Sequence, residues 1–278
     1  MKKIFSGKTA IITGGGKGIG RETARLLGRA GCNIVISGRN KEALVNTASQ
    51  LQTENIAVLA VQGDVTDQKD CRNVIYEALR EFGGIDFLIN NAGMSMRGTF
   101  ENTDLDLFTK VMDINFGGAV IMTKTALSEI KKAKGSIVFI SSISGLKGLP
   151  GIAPYSAAKM ALKSFSESLR AELYNKVHVG ILYVSFTEND PGKTMFNEKG
   201  DLVPLHRDKN SSTQLDVAKA VLLCIRRRKR QIVMTTLGKL ASFFYALLPG
   251  LTETLIAKFA AKSSLYASDN LYKNEGKK

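Results

Sequence analysis

The stretch TGGGKGIGRET, residues 13–23, places five glycines within seven residues. It follows an apolar run, KTAIIT at residues 8–13, and leads into an amphipathic segment at residues 19–31. A glycine-rich turn between a strand and a helix lets backbone N–H groups and the helix dipole receive a phosphate. The glycines do not follow the G-x-G-x-x-G spacing, so the stretch predicts a dinucleotide-phosphate site with a variant spacing.

Apolar runs of about six residues recur along the chain and alternate with segments of helical pattern. Such runs indicate parallel strands buried on both faces, and the alternation indicates repeated βαβ units. The sequence therefore predicts an α/β fold, a single Rossmann-type doubly wound parallel sheet of about seven strands with helices on both faces. The predicted strands lie at residues 8–13, 33–37, 56–61, 86–90, 136–141, 177–184 and 230–234, and helices are predicted to begin near Gly18, Lys41, Asp67, Asp104, Pro154 and Gln214.

Length and composition limit the class of protein. A chain of 278 residues with 44% apolar residues is large enough for one packed domain, assigned to residues 1–235, and residues 236–278 are predicted to form a helical C-terminal extension. The long segment 185–212 is predicted to be a structureless lid or binding loop.

The three cysteines form no CxxC pair, and the chain has two histidines, so no bound metal is expected. No signal peptide or membrane-spanning run is present, so a cytoplasmic protein is expected.

The end of the second predicted strand bears on the choice of dinucleotide. Chains that prefer NAD place Asp or Glu there, where the carboxylate accepts the ribose hydroxyls. The segment VISGRN, residues 35–40, contains no acid. Arg39 at the strand end and Lys17 in the glycine loop are instead suited to a 2′-phosphate, so NADP(H) is the predicted cofactor.

A second group of polar residues follows the fifth predicted strand. Ser142 lies at the carboxyl end of that strand, where open α/β sheets bind ligands. Tyr155 and Lys159 are spaced i, i+4 on a predicted helix and therefore share one face. Each of these residues alone is also typical of a structural position, a turn serine or an interface tyrosine.

Taken together and in order, these motifs resemble the short-chain dehydrogenase/reductase (SDR) family over residues 6–184. The T-G-x-x-x-G-x-G pattern, Asp64-Val65, NNAG at residues 90–93, Asn115, Ser142, Tyr155 and Lys159 carry the resemblance. It implies that Asp64 and Val65 contact adenine and that Asn91, Ala92 and Gly93 line the cofactor groove. The implied phosphate loop comprises Gly14, Gly16, Lys17, Gly18, Ile19 and Gly20.

The resemblance also implies a catalytic tetrad of Asn115, Ser142, Tyr155 and Lys159. A carbonyl that accepts hydride needs a proton, which Tyr155 can donate if the nearby Lys159 ammonium lowers the pKa of the phenol. Ser142 would donate a hydrogen bond to the developing oxyanion. Asn115 would position a water that relays protons toward Lys159. The resemblance also implies that Tyr155 and Lys159 contact the cofactor, with Lys159 holding the nicotinamide ribose hydroxyls.

The chain departs from the family pattern after the sixth strand. Val184-Ser185 replaces the usual Pro-Gly, which changes the local backbone freedom. Ser185 and Thr187 are still expected to reach the nicotinamide carboxamide. Glu188 and Asp190 are either solvated loop acids or recognise a substrate amine.

The C-terminal region is basic and amphipathic. Residues 226–278 hold 11 of the 39 Lys and Arg residues and three of the 25 acids. Two short helices are predicted there, with Pro249 between them. They would cover the substrate cleft, pack on a second subunit, or place residues 226–262 on an anionic membrane surface. No aromatic reading platform accompanies the arginine run, so nucleic acid is not an expected partner.

This extension also resembles, more distantly, those of 3-ketosphinganine reductases and membrane-associated hydroxysteroid dehydrogenases. The sequence therefore predicts an NADP(H)-dependent oxidoreductase that interconverts a ketone and a secondary alcohol, on an apolar or lipid-like substrate. A 3-oxoacyl-thioester reductase and a catalytically silent NADP(H)-binding or scaffold protein are the alternatives. The resemblance implies a homodimer or homotetramer.

Overall fold

The computed structural model describes residues 2–188, 190–205 and 212–262. Within these residues, seven parallel strands form a sheet with the spatial order β3-β2-β1-β4-β5-β6-β9, and two further strands, β7 and β8, form a separate antiparallel hairpin. The strands are β1 (Thr9–Thr13), β2 (Asn33–Gly38), β3 (Val58–Gln62), β4 (Phe87–Asn90), β5 (Ser136–Ser142), β6 (His178–Val184), β7 (Thr194–Phe196), β8 (Leu202–Pro204) and β9 (Gln231–Val233). All seven predicted strands are in the sheet, which confirms the predicted fold class.

Helices cover both faces of the sheet, each over its own apolar core. Alternate side chains of β1 point to opposite faces, so Ile12 belongs to one core and Ile11 to the other. Helices α2 (Gly18–Arg29), α3 (Lys41–Thr53) and α8 (Gln214–Arg226) contribute to the first core, and α4 (Gln68–Phe82), α6 (Gly118–Lys132) and α7 (Ala153–Glu172) to the second. Strands β1, β4 and β6 are buried along their whole length.

The strand order fixes where a ligand can bind. The chain leaves β1 toward β2 and β3 on one side, then returns to place β4 against the other side of β1. The loops after β1 and β4 consequently diverge and open a crevice at the carboxyl ends of the strands. The glycine loop and residues 91–97 form the two sides of this crevice.

Two segments differ from the sequence expectations. Helix α5 (Leu105–Met112) runs through a π-helical turn (Asp113–Gly117) directly into α6, and Gly117-Gly118 at this junction do not interrupt the helical run. The described part of the lid segment 185–212 is not structureless, because it contains the β7–β8 hairpin. Residues 189 and 206–211 of that segment lie outside the described residues.

The C-terminal extension begins with the two predicted helices, α9 (Thr236–Leu247) and α10 (Pro249–Lys262). Thr235 caps α9 by accepting a hydrogen bond from the Gly238 N–H, and Pro249 begins α10. A salt bridge between Lys147 and Glu253 ties α10 to the loop that precedes α7. Residues 263–278 of the predicted extension lie outside the described residues.

Candidate active site

A cavity of about 440 Å³ lies at the carboxyl ends of the central strands. It brings together most of the predicted site residues: Gly14, Lys17, Gly18, Ile19, Asn91, Ala92, Gly93, Asn115, Ser142, Tyr155, Lys159, Ser185 and Thr187. Gly16, Gly20, Arg39, Asp64 and Val65 do not line this cavity.

The glycine loop connects β1 to α2 in a conformation that needs glycine. Gly14 and Gly18 have φ of 64° and 57°, in the left-handed region that most side chains avoid. A Cβ on Gly20 would lie 2.3 Å from the Gly14 carbonyl oxygen, so the first turn of α2 packs directly on the loop. Gly16 is held from outside the loop, because the Thr47 hydroxyl donates to its carbonyl at 2.9 Å. Because the loop lacks side chains at these positions, a molecule bound in the cavity could approach its backbone closely.

Asn91 and Thr13 join the two sides of the crevice. The Asn91 side-chain amide donates to the carbonyls of Thr13 and Gly14, at 2.8 and 3.2 Å. In return, the backbone N–H groups of Asn91 and Ala92 both donate to the Thr13 hydroxyl at 3.0 Å. Asn91 thus holds the glycine loop in addition to lining the cavity.

Arg39 and Asp64 line a second cavity of about 300 Å³ beside the first. Gly38 at the end of β2 approaches the glycine loop, since a Cβ on it would lie 3.9 Å from the Gly14 Cα. Arg39 is exposed, and its guanidinium is 3.9 Å from the Asp64 carboxylate. Val65 packs on α6, where it leaves no room for a Cβ at Gly118.

Lys159 is the most perturbed ionisable group that lines the main cavity. Its side chain is 4% exposed, and its ammonium donates to the carbonyl of Ile140 at 3.1 Å. Burial lowers the pKa of Lys159 to about 8. The ammonium lies 5.5 Å from the centre of the Tyr155 ring, one turn back on α7. A lysine with a pKa near neutrality beside a phenol is an arrangement suited to proton transfer.

Asn115 lies in the π-helical turn and is 1% exposed. Its amide donates to the carbonyls of Met94 and Val111, both at 2.9 Å, and its side-chain oxygen accepts from the Met94 N–H at 3.3 Å. A Cβ on Gly93 would lie 2.7 Å from the Asn115 oxygen and 3.4 Å from the Lys159 nitrogen. Gly93 therefore leaves a space shared by both side chains. Such π-helical turns occur often at functional sites.

Ser142 ends β5 and lines the cavity with Tyr155. Its hydroxyl oxygen accepts a hydrogen bond from the Ser144 N–H at 3.3 Å, and as an acceptor there it keeps its own proton for another partner. The hydroxyl of the neighbouring Ser141 donates to the Lys159 carbonyl, which fixes α7 to β5.

Ser185 and Thr187 follow β6 and reach the cavity in spite of the missing Pro-Gly pair. Thr187 is buried, and its hydroxyl donates to the Ser185 carbonyl at 3.1 Å. A bridge to Ser212 holds the Thr187 backbone.

The two lid acids, Glu188 and Asp190, accept hydrogen bonds from other residues of the chain. The Asp190 carboxylate accepts hydrogen bonds from the Gly18 N–H at 2.7 Å, from Arg21 at 3.0 Å and from the Gln214 side chain at 3.2 Å. Glu188 accepts the Gln214 backbone N–H at 2.9 Å. An acidic side chain thus occupies an N-terminal amide of α2, at the edge of the glycine loop. These contacts do not support recognition of a substrate amine by Glu188 or Asp190.

Sequence reasoning missed Gln214, which is 6% exposed and joins the lid to the start of α8. In sequence it marks only a helix start, and its lid partners are 24 and 26 residues away. Arg97, which lines the cavity, was also missed.

Two further features concern metals and thiols. Within the described residues, no group of three His, Cys, Asp or Glu side chains is arranged to hold a metal ion. Cys32, Cys71 and Cys224 are unpaired and buried, and burial raises the pKa of each thiol to about 12.

Comparison with known proteins gives consistent results. The family model described as short chain dehydrogenase matches residues 8–199. Dehydrogenase/reductase SDR family member 7B of Mus musculus is 32% identical over 276 residues, covering 94% of this chain and 84% of that protein. The 11-beta-hydroxysteroid dehydrogenase-like protein 4A of Arabidopsis thaliana is 32% identical over 261 residues, covering 91% and 84%.

The fold also has close counterparts among solved structures. A short chain dehydrogenase/reductase from Burkholderia phymatum, solved in complex with NAD, superposes with a TM-score of 0.79 over 89% of this chain and 96% of that one, at 22% identity. That likeness concerns the fold.

Proposed function

Since the chain belongs to the short-chain dehydrogenase family of oxidoreductases, we propose that it is an NADP(H)-dependent enzyme interconverting a ketone and a secondary alcohol on an apolar or lipid-like substrate. The observation that carries this proposal is the buried Lys159 beside Tyr155 in the main cavity. Family membership supports chemistry at CH–OH groups with a nicotinamide dinucleotide. The choice of NADP(H), the substrate and the residue roles are our proposals.

The residues present fit a phosphorylated dinucleotide. Gly14, Lys17, Gly18 and Ile19 of the glycine loop line the main cavity, where their backbone would receive a pyrophosphate once Asp190 releases the Gly18 N–H. Arg39 is exposed at the end of β2, Lys17 is exposed in the loop, and β2 ends without an acid. Arg39 and Lys17 would hold the 2′-phosphate, Asp64 and Val65 the adenine side, and Ser185 and Thr187 the carboxamide. A bound NADPH would supply the hydride.

The chain's own residues would then manage the proton and the charge. The Tyr155 hydroxyl would donate its proton to the ketone oxygen as that oxygen gains negative charge. The Lys159 ammonium would stabilise the phenolate that remains. The Ser142 hydroxyl would donate a hydrogen bond to the same oxygen. Asn115 would keep the space beside Gly93 and Lys159 open for a water that returns the proton.

The cofactor assignment can be tested at Arg39. We expect the protein to oxidise NADPH with a panel of ketones and to bind NADPH more tightly than NADH. Arg39→Ala should weaken NADPH binding about 10- to 100-fold and leave NADH binding unchanged, because only NADPH carries a phosphate that needs the guanidinium. Fluorescence titration of both dinucleotides measures this.

Arg80→Ala, on the exposed face of α4, is the matched control. Equal losses for NADPH and NADH in Arg39→Ala would contradict the 2′-phosphate role. Activity confined to acyl thioesters would favour the 3-oxoacyl-thioester reductase. Binding of NADPH without turnover of any ketone or thioester would favour the catalytically silent binding protein.

We also propose that the C-terminal extension contacts an anionic membrane surface peripherally. Six side chains that support this are all more than half exposed: Leu240, Phe243, Leu247, Leu251, Leu255 and Phe259. Lys239 and Lys258 are exposed on the same two helices, and the basic residues 226–230 are exposed at the end of α8 and before β9. Among the described residues, none of the helices combines the length and hydropathy that crossing a bilayer requires. A homodimer or homotetramer remains part of the proposal, because assembly is common in the family.

Vesicle co-sedimentation tests the membrane proposal. The full chain should pellet with vesicles containing phosphatidylserine and pellet less at high salt, because the basic residues act through screened charge. Phe243→Ser combined with Leu247→Ser should abolish pelleting, whereas Leu105→Ser, equally exposed on α5, should not. Unchanged pelleting of the double variant, with a shift in oligomeric state instead, would assign the apolar residues to a subunit contact.

A further inference from the structure

Arg97 occupies a fixed position in the wall of the main cavity. Its backbone N–H donates to the Phe196 carbonyl in β7 at 2.9 Å. The next N–H, of Gly98, donates to the Gly151 carbonyl at 2.9 Å, in the segment that leads into α7. The backbone at Arg97 is therefore held between the lid hairpin and the segment that leads into the helix carrying Tyr155, and Arg97 is one of the residues that line the cavity.

The Arg97 guanidinium has no partner within the described chain, which sets it apart from the other partly buried arginines. Four described arginines are partly buried. Arg21 pairs with Asp190, Arg25 with Glu22 and Glu54, and Arg170 donates to Ser166 and to two backbone carbonyls. Arg97 takes part in none of the ion pairs or side-chain hydrogen bonds of the described residues. A partly desolvated cation without a partner is costly unless a ligand provides one.

Apolar side chains form part of the cavity wall that Arg97 belongs to. Met94, Met96, Leu149, Ile152 and Leu205 line the cavity with it. The acids in the cavity wall are Glu188 and Asp190, which already accept hydrogen bonds from Gln214 and the glycine loop. Among the described residues, the cavity wall thus combines apolar side chains with the Arg97 guanidinium, a positive charge that no acid of the wall neutralises.

We propose that Arg97 binds an anionic group of the substrate, a carboxylate or a phosphate monoester. The substrate would be an apolar ketone whose chain lies along the methionine and leucine side chains while its anionic end meets the guanidinium. A guanidinium is suited to this role because it can donate two parallel hydrogen bonds to either oxyanion. This assignment rests on the proposed ketone reductase function and makes Arg97 a determinant of its specificity.

The test compares ketones that differ only in charge. A long-chain oxo acid, its methyl ester and an oxoalkyl phosphate of equal chain length are reduced with NADPH by the full chain and by Arg97→Gln. The unaltered chain should prefer one or both anionic ketones over the ester about 10- to 100-fold in kcat/KM, mainly through KM. Arg97→Gln should abolish this preference and leave the rate with the ester unchanged. The two anionic arms distinguish a carboxylate from a phosphate.

Two variants guard against a structural explanation. Arg97→Lys should restore part of the preference because it restores the charge, and Arg72→Gln, exposed on α4, should keep all of it. A preference that survives in Arg97→Gln overturns the proposal, as does equal use of acid, phosphate and ester by the unaltered chain. If no ketone is reduced, the proposed function itself fails. Calorimetric binding of a long-chain carboxylate and an alkyl phosphate to the NADPH complex then decides the Arg97 assignment, which equal affinities for the unaltered chain and Arg97→Gln would overturn.

Discussion

Tyr155→Phe is expected to reduce kcat for ketone reduction about 10²- to 10⁴-fold while leaving NADPH affinity within a few-fold of the unaltered value. The substitution removes the hydroxyl that would protonate the ketone oxygen, and it keeps the ring beside the Lys159 ammonium, 5.5 Å from the ring centre. The substitution should therefore lower kcat and leave the affinity for NADPH nearly unchanged. Stopped-flow measurement of NADPH oxidation, together with fluorescence titration of NADPH, measures the two effects on one preparation.

Tyr174→Phe provides the matched control, since it removes the same hydroxyl from a tyrosine that is 70% exposed on the surface. Its rate should equal that of the unaltered chain. Undiminished turnover by Tyr155→Phe would remove the phenol from the mechanism, and the proposed chemistry with it. A parallel loss of NADPH binding would show instead that the hydroxyl holds the cofactor.

Lys159→Met should also lower activity strongly, but it should preserve or raise the stability of the folded chain. The side chain is enclosed, and a backbone carbonyl is the one hydrogen-bond partner of its ammonium among the described residues. Burial lowers the pKa of Lys159 to about 8, so the charged form destabilises the folded chain at pH 7. Methionine has similar length and no charge. We expect kcat to fall at least about 10²-fold and the free energy of unfolding to stay equal or rise.

The pH dependence of stability gives the sign of this effect. Below pH 8 both the folded and the unfolded chain hold the Lys159 proton, and the folded chain bears the full desolvation cost. Between about pH 8 and 10.5, the ordinary pKa of a lysine side chain, the folded chain has lost that proton and the unfolded chain keeps it. The free energy of unfolding contributed by Lys159 therefore rises with pH across this window.

Urea denaturation at pH 7 and pH 10 tests this sign without cofactor. The stability advantage of Lys159→Met over the unaltered chain should shrink from pH 7 to pH 10. Lys163→Met, one turn further along α7, should show no such change. An advantage that is constant with pH would mean that the ammonium is not desolvated in the folded chain.

The parts of the fold that sequence could predict are those with local signals. Apolar runs marked all seven strands of the sheet, and the closely spaced glycines marked the β1–α2 turn, because strand burial and left-handed φ restrict residue types directly. The helix α6 was missed because α5 continues into it through a π-helical turn, and the Gly117-Gly118 pair, which in a sequence is typical of a break, lies inside the helical run. The hairpin in the lid was missed because β7 and β8 are three residues long and carry no alternating pattern.

The site divides in the same way. Tyr155, Lys159 and Ser142 lie in recognisable local motifs, and the cavity brings them together. Arg97 and Gln214 have no such motif, because their significance depends on contacts between segments far apart in the chain. What distinguishes Arg97 is the absence of a side-chain partner among the described residues, and only coordinates reveal that. The engagement of Asp190 with Gly18, 172 residues away, is likewise a tertiary property.

The contact between Asp190 and the Gly18 amide has a kinetic consequence. The Gly18 N–H cannot donate fully to both the Asp190 carboxylate and a dinucleotide phosphate. Two anions that compete for the same N–H also repel each other. Arrival of the dinucleotide would therefore release the lid from α2, and its departure would let the lid return. Where the released lid also opens the cavity to the ketone, this coupling predicts that the dinucleotide binds before the ketone, and product-inhibition patterns test that order.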